Sequence, residues 1–193
     1  LPDEVPLETG AILGIPGLTA CHAVFGGGDV AGTSVLVQGG AGTVGLLAVQ
    51  LAKWGGARVI ATARGPGLDA ARRAGADAVL DYSAPDLPAA ILAANDGAPV
   101  DRIVETEYGV NAATDAEVIA PNGTIAAYGS ARNMAPTVPF GSMLFKAVTL
   151  DIVLIYILPA TERAAAIARL HTALAKGALS CPIARTYALE DCA

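Results

Sequence analysis

The sequence predicts an α/β fold, a doubly wound six-stranded parallel sheet with helices on both faces. Three observations predict it. Short β-branched runs alternate along the chain with Ala-rich helical runs. The first strand candidates, built on Val35-Leu36-Val37 and Val59-Ile60-Ala61, are apolar at every position, as strands covered on both faces must be. Turn residues fall where helices have to end: Gly55-Gly56, Gly75 and Pro121-Asn122-Gly123.

Taken in order, the expected strands are 35–38, 58–62, 78–81, 101–105, 124–128 and 148–156. The helices between and after them cover 42–54, 68–74, 87–94, 111–120 and 160–176. Residues 1–28 read differently, as two short apolar helices around Gly14-Ile15-Pro16-Gly17 followed by the turn Gly26-Gly27-Gly28. Right-handed crossovers in such a sheet leave a crevice at the carboxyl ends of the strands, where ligands bind.

Composition limits what this fold can do. The 193 residues are 53% hydrophobic and 16% charged, which excludes disorder. Twelve basic residues face eighteen acidic ones, a net charge of −6, which argues against general nucleic-acid binding. The longest apolar run, Val148–Leu158, contains Asp151 and is too short to span a bilayer. Cys21, Cys181 and Cys192 have neither CxxC nor metal-ligand spacing, so no metal site is expected and a reducing, cytoplasmic setting is the default. His22 and His171 lie in helical runs and read as structural.

The informative stretch is Val35–Gly45. Gly40-Ala41-Gly42-Thr43-Val44-Gly45 is a G-x-G-x-x-G that follows a strand and opens a helix, the context of a dinucleotide-binding Rossmann fold. There the first glycine permits a tight turn, the second admits a pyrophosphate, and the third lets helix and strand pack closely. The helix N-terminus adds free N–H donors and a dipole term of about 0.3–1 kcal/mol. Two rival patterns are missing. Leu46 stands where a P-loop needs lysine, and none of the five tyrosines has Lys four residues on.

The second strand ends Ala61-Thr62-Ala63-Arg64. Ala63 stands where an NAD-binding fold places its ribose-binding acid, and Arg64 follows. A guanidinium would bind a 2′-phosphate that a carboxylate would repel, so NADP is expected over NAD. The other reading of Arg64 is a solvated loop arginine. Of the two glutamates at the next strand end, Glu107 is the site candidate, whereas Glu105 reads as a hydrogen-bonded or solvated companion.

Together, Leu1–Val5, Gly17-Leu18-Thr19-Ala20, Val35–Gly45, Gly75–Tyr82, Val100-Asp101 and Pro121–Ile125 resemble, in order, the zinc-independent quinone oxidoreductase branch of the medium-chain dehydrogenase/reductase superfamily. The resemblance implies an NADPH-dependent oxidoreductase that transfers hydride to a quinone or activated enone, seen here as its cofactor-binding part. Residues 1–28 would lead in from a separate catalytic domain, 29–177 would form the dinucleotide-binding domain, and 178–193 would lead out. Gly40, Gly42, Thr43, Val44 and Gly45 would hold the pyrophosphate. Thr19 would lie near the nicotinamide, Tyr82 beside the 2′-phosphate, and Glu107, Gly129 and Ser130 along the crevice. No catalytic residue is expected in this chain. Relatives often carry a lysine after the second strand; here Gly65-Pro66-Gly67-Leu68 occupies that region, and Arg64 must substitute. The family also implies a homodimer through the edge strand 148–156, a small-molecule substrate, and no membrane or nucleic-acid partner. A non-catalytic NADP(H)-binding module and a relative of zinc-dependent alcohol dehydrogenases are the alternatives.

Overall fold

The computed structural model describes residues 1–191; Cys192 and Ala193, the last two positions of the expected lead-out, lie outside the described residues. The elements run α1 (Leu7–Ala11), α2 (Gly14–Phe25), β1 (Ser34–Val37), α3 (Thr43–Trp54), β2 (Arg58–Ala63), α4 (Gly67–Arg73), β3 (Ala78–Asp81) and α5 (Leu87–Ala94). They continue with β4 (Val100–Glu105), α6 (Tyr108–Val118), β5 (Ile119–Ala127), α7 (Phe140–Phe145), β6 (Thr149–Ile152) and α8 (Ala160–Ala175). All six strands pair in parallel in the order β3-β2-β1-β4-β5-β6, so the expected doubly wound sheet is the one that forms.

Alternation along the central strands explains the two-sided core. Val35, Val37, Val59, Ala61 and Val104 face one cluster with residues of α2, α3, α4 and α8. Leu36, Ile60, Ile103 and Ile125 face the other, with Leu87 and Ile91 of α5, Ala112 and Ala116 of α6, and Met143 of α7. Each fully buried aliphatic side chain here contributes about 1.5–3 kcal/mol of transfer free energy. Helix α2 belongs to this packing: Ala20, Ala23 and Val24 are completely buried against the first cluster.

Three expected boundaries are corrected. The helix expected at 111–120 starts at Tyr108 and stops at Val118, and β5 follows at once. Lys146 is the reason: its Nζ donates to the carbonyls of Ala116, Glu117 and Ile119 at 2.9, 2.8 and 2.9 Å, satisfying the end of α6 from a distant part of the chain. Pro121-Asn122-Gly123 therefore ends no helix. It forms an irregularity inside β5, where Ile119 pairs with Val100 but the next partner of β4 is Thr124. Helix α7 had no strong periodic signal and was not expected. The last strand, expected over 148–156, is confined to Thr149–Ile152. Beyond it the chain makes a 3-10 turn at Ile155–Ile157, where the Arg163 guanidinium of α8 donates to the carbonyls of Ile155 and Tyr156. Its edge position is as expected.

Candidate functional site

In this strand order the chain reverses direction across the sheet between β1 and β4, and a crevice opens at their carboxyl ends. The crevice holds about 660 Å³, within the range of about 300–1,000 Å³ typical of ligand sites. Gln38, Gly39 and Gly42 line it from β1 and its loop. Ala63, Arg64 and Tyr82 line it from β2 and β3, and Thr106, Glu107, Asn111 and Arg132 from the far wall.

The loop from β1 to α3 is built from backbone. The sharp turn is made by Gly39, with φ +70, one residue before the motif read from the sequence. Gly40 has a different duty: a Cβ there would lie 2.8 Å from that of Ala61, so the glycine lets the loop lie against β2. At Gly45 a Cβ would meet the Gly39 carbonyl oxygen at 2.2 Å, the close helix–strand approach expected of the third glycine. Gly42 caps α3 without any side-chain hydrogen bond, and a Cβ there would find its nearest atom at 3.5 Å. The first turn of α3, with the amides of Thr43, Val44 and Gly45, therefore has no side-chain cap.

Arg64 and Tyr82 share the β2–β3 wall, both exposed. Tyr82 is held by its amide, which donates to the Ala63 carbonyl at 3.1 Å. Asp81 stands next to them. Hydrogen bonds from Ser83 and, secondarily, the Arg64 charge keep its carboxyl below the usual carboxylate range.

On the opposite wall the Glu107 carboxylate accepts the Arg132 amide at 2.9 Å, which ties the loop after β5 to the start of α6. Ser130 lies behind this wall: its Oγ accepts the Gly109 amide at 2.8 Å and donates to the Asn133 carbonyl at 2.5 Å. Gly129 is required there because a Cβ would meet the Thr106 carbonyl oxygen at 2.4 Å. Thr19 is not brought to the crevice wall. It is buried in α2, with its hydroxyl donating to the Ile15 carbonyl at 2.8 Å.

Sequence reasoning missed Gln38, Gly39, Thr62, Asn111 and Arg132. For Gly39 a signal was present, since a glycine directly after a strand is the usual place for positive φ. Gln38, Thr62 and Asn111 lie on three different elements, and only the fold gathers them. Of the two readings of Glu105 the hydrogen-bonded one holds, since it accepts from the Glu107 amide and from Asn111; it is completely buried, as is Asp115 of α6.

Among the described residues no group of three or more His, Cys, Asp or Glu side chains is placed to hold a metal ion. His22 stands 3.8 Å from Asp151 and 4.0 Å from Glu162, and the Cys21 thiol beside it is pushed up to about 11 by burial. No described helix is long and apolar enough to cross a membrane.

The family model described as zinc-binding dehydrogenase matches residues 43–172. Rat quinone oxidoreductase is 33% identical over 131 residues, which cover 67% of this chain and 40% of that protein. Among solved structures, a mycobacterial protein complexed with NADPH superposes with a TM-score of 0.85 at 27% identity, covering 95% of this chain and 59% of the other. A quinone oxidoreductase of Pseudomonas syringae gives 0.82 at 28% identity, covering 93% and 57%. The chain therefore spans well under two thirds of the length of the proteins it resembles.

Proposed function

Since the chain belongs to the zinc-binding dehydrogenase family, in the quinone oxidoreductase branch of the medium-chain dehydrogenase/reductase superfamily, we propose that its crevice holds NADP(H) for a reductase acting on a quinone or activated enone. The observation that carries this reading is the glycine-built bend from β1 into α3, where Gly39 and Gly42 line the crevice and the start of the helix has no side-chain cap. The first-turn amides would bind the diphosphate, and Gly42 would let it approach. Arg64 and Tyr82 would receive the adenosine end, with the guanidinium pairing the 2′-phosphate. Thr106, Glu107 and the Gly129–Ser130 turn would shape the nicotinamide end. When bound, the coenzyme supplies the hydride; this chain's residues supply placement and electrostatics. Zinc has no fitting ligand set among the described residues, so no step is assigned to a metal here.

Residues 1–28 and 178–193 would connect 29–177 to a catalytic domain. The relatives, which are much longer than the matched region, support this division. Pairing through the β6 edge, next to the exposed Ile152, Leu154, Tyr156 and Ile157, would make a homodimer. A clean monomer at high concentration in sedimentation would remove that part of the proposal. A reducing cytoplasm suits the free thiols of Cys21 and Cys181.

The test is a paired fluorescence titration with NADPH and NADH. Saturable NADPH binding is expected, weakened about tenfold by Arg64→Ala while NADH is unaffected. No saturable signal with either coenzyme overturns the reading.

A further inference from the structure

Two runs of hydrogen bonds converge beneath the crevice floor. The Gly39 amide donates to Thr62 Oγ1 at 3.1 Å, and that hydroxyl donates to Gln38 Oε1 at 2.6 Å. Gln38 Nε2 then donates to Asp115 Oδ1 at 3.1 Å. From the other wall, the Glu107 amide donates to Glu105 Oε1, and Asn111 Nδ2 donates to both Glu105 oxygens at 3.1 Å. The two halves meet where the Asp115 and Glu105 carboxyls touch side chain to side chain.

That meeting point lacks a donor. Glu105 and Asp115 are both 0% exposed, and Asp115 Oδ2 has no donor partner of its own. Two carboxylates in contact away from water cannot both be ionised. Glu105 already accepts bonds from two N–H groups, so it is the carboxylate, and the proton belongs on Asp115 Oδ2. Burial first, then the Glu105 charge, holds the Asp115 carboxyl well above the usual carboxylate range.

The other titratable groups acting on the pair are Glu107 at the turn after β4, Tyr108 of α6, and Tyr128 at the end of β5. Both tyrosines are raised, chiefly by burial, and neither supplies positive charge. No lysine, arginine or histidine is among the groups shifting either acid.

We propose that Glu105 and Asp115 share one proton and act as a positioning pair that locks the Gly39 loop to the Glu107 wall of the coenzyme crevice. The role rests on the NADP(H) reading above. Phosphate charge arriving over the loop makes a second buried negative charge less favourable. Coenzyme binding and protonation of Asp115 Oδ2 therefore favour each other, the proton coming from solvent. Where the pair has lost its proton, repulsion opens the link between the two walls and coenzyme binding weakens.

The experiment is NADPH titration of the full chain by calorimetry, in two buffers of different ionisation enthalpy. The range is about pH 7 to 9.5, above the ~6 of a phosphate's second ionisation and below the ~10 of tyrosine. Expected for the wild type are proton uptake on binding and an affinity that falls with pH, by at most about tenfold per unit. Asp115→Asn, which places a permanent donor against Glu105, is expected to flatten the profile and abolish proton uptake. Asp115→Ala is expected to weaken binding across the whole range. A flat wild-type profile without proton uptake overturns the proposal, and this decides the matter even where a variant fails to fold. An Asp115→Asn profile as steep as the wild type also overturns it. No saturable binding at pH 7 overturns the coenzyme reading and the positioning role with it. The shared proton is then still read separately, as an unfolding free energy that falls with rising pH in the wild type but not in Asp115→Asn.

Discussion

The two ends of the sheet handle acidic side chains in opposite ways. At the amino end, Asp77 accepts the Val59 amide at 2.7 Å and Lys53 Nζ at 2.8 and 2.9 Å. Asp101 accepts the amide and hydroxyl of Ser34, both at 2.8 Å. Both acids are exposed residues. At the carboxyl end, Glu105 and Asp115 are sealed from water, and one oxygen is left without a donor. The amino end is arranged to tie strands together. The carboxyl end carries an open helix terminus and a buried acid pair, features that cost stability and belong where a ligand is bound.

The sharpest way to break this contrast is at the glycines. Gly45→Ala drives a Cβ into the Gly39 carbonyl oxygen, a backbone atom with nowhere to go. The expected result is a loss of about 1–3 kcal/mol in urea unfolding, together with loss of NADPH binding. Gly42→Ala meets only ordinary contact distance, so the fold should keep its stability while the methyl group obstructs the phosphates. If both variants lose stability and binding in parallel, the loop is a packing element and not a ligand cradle.

A smaller effect is expected from Gln38→Leu. It leaves Asp115 Oδ1 without its Gln38 donor and the Thr62 hydroxyl proton without its acceptor, at a cost of about 1–3 kcal/mol. Chemical unfolding monitored by circular dichroism measures it. A neutral outcome would mean that water replaces the amide, and the carboxyl end would then be no more sealed than the amino end.

What the sequence made legible follows the same division. The loop was readable because its requirements are local: consecutive glycines between an apolar strand and a helix leave few backbone solutions. Even so, the turn fell on Gly39, since a pattern of spacings does not report which glycine takes positive φ. The buried network was not readable. Gln38, Thr62, Glu105 and Asp115 come from the turn after β1, from β2, β4 and α6, and no local pattern announces that they converge. The same reason explains α6 and β5, where a lysine distant in sequence replaced the turn that Pro121-Asn122-Gly123 seemed to announce. The strand beyond Ile152 was overestimated because apolar β-branched residues suit a strand and a short 3-10 turn alike.

The smallest expected effect sharpens the comparison through its sign. The Asp77 carboxyl is lowered: burial opposes ionisation, but the Lys53 and Val59 hydrogen bonds outweigh it. Its stabilisation is present above the unfolded value of about 3.9 and is lost as pH falls through the folded value. The Asp115 carboxyl is raised, so its stabilisation is present at low pH and is lost as pH rises through the folded value. Asp77→Asn should therefore lower stability at neutral pH by no more than about 1 kcal/mol, because the ion pair with Lys53 is solvent-screened. The difference from wild type should shrink in acid. Urea unfolding of both proteins from acid to neutral pH measures it. A deficit that grows on acidification would place Asp77 in the same class as Asp115 and erase the distinction between the two ends of the sheet.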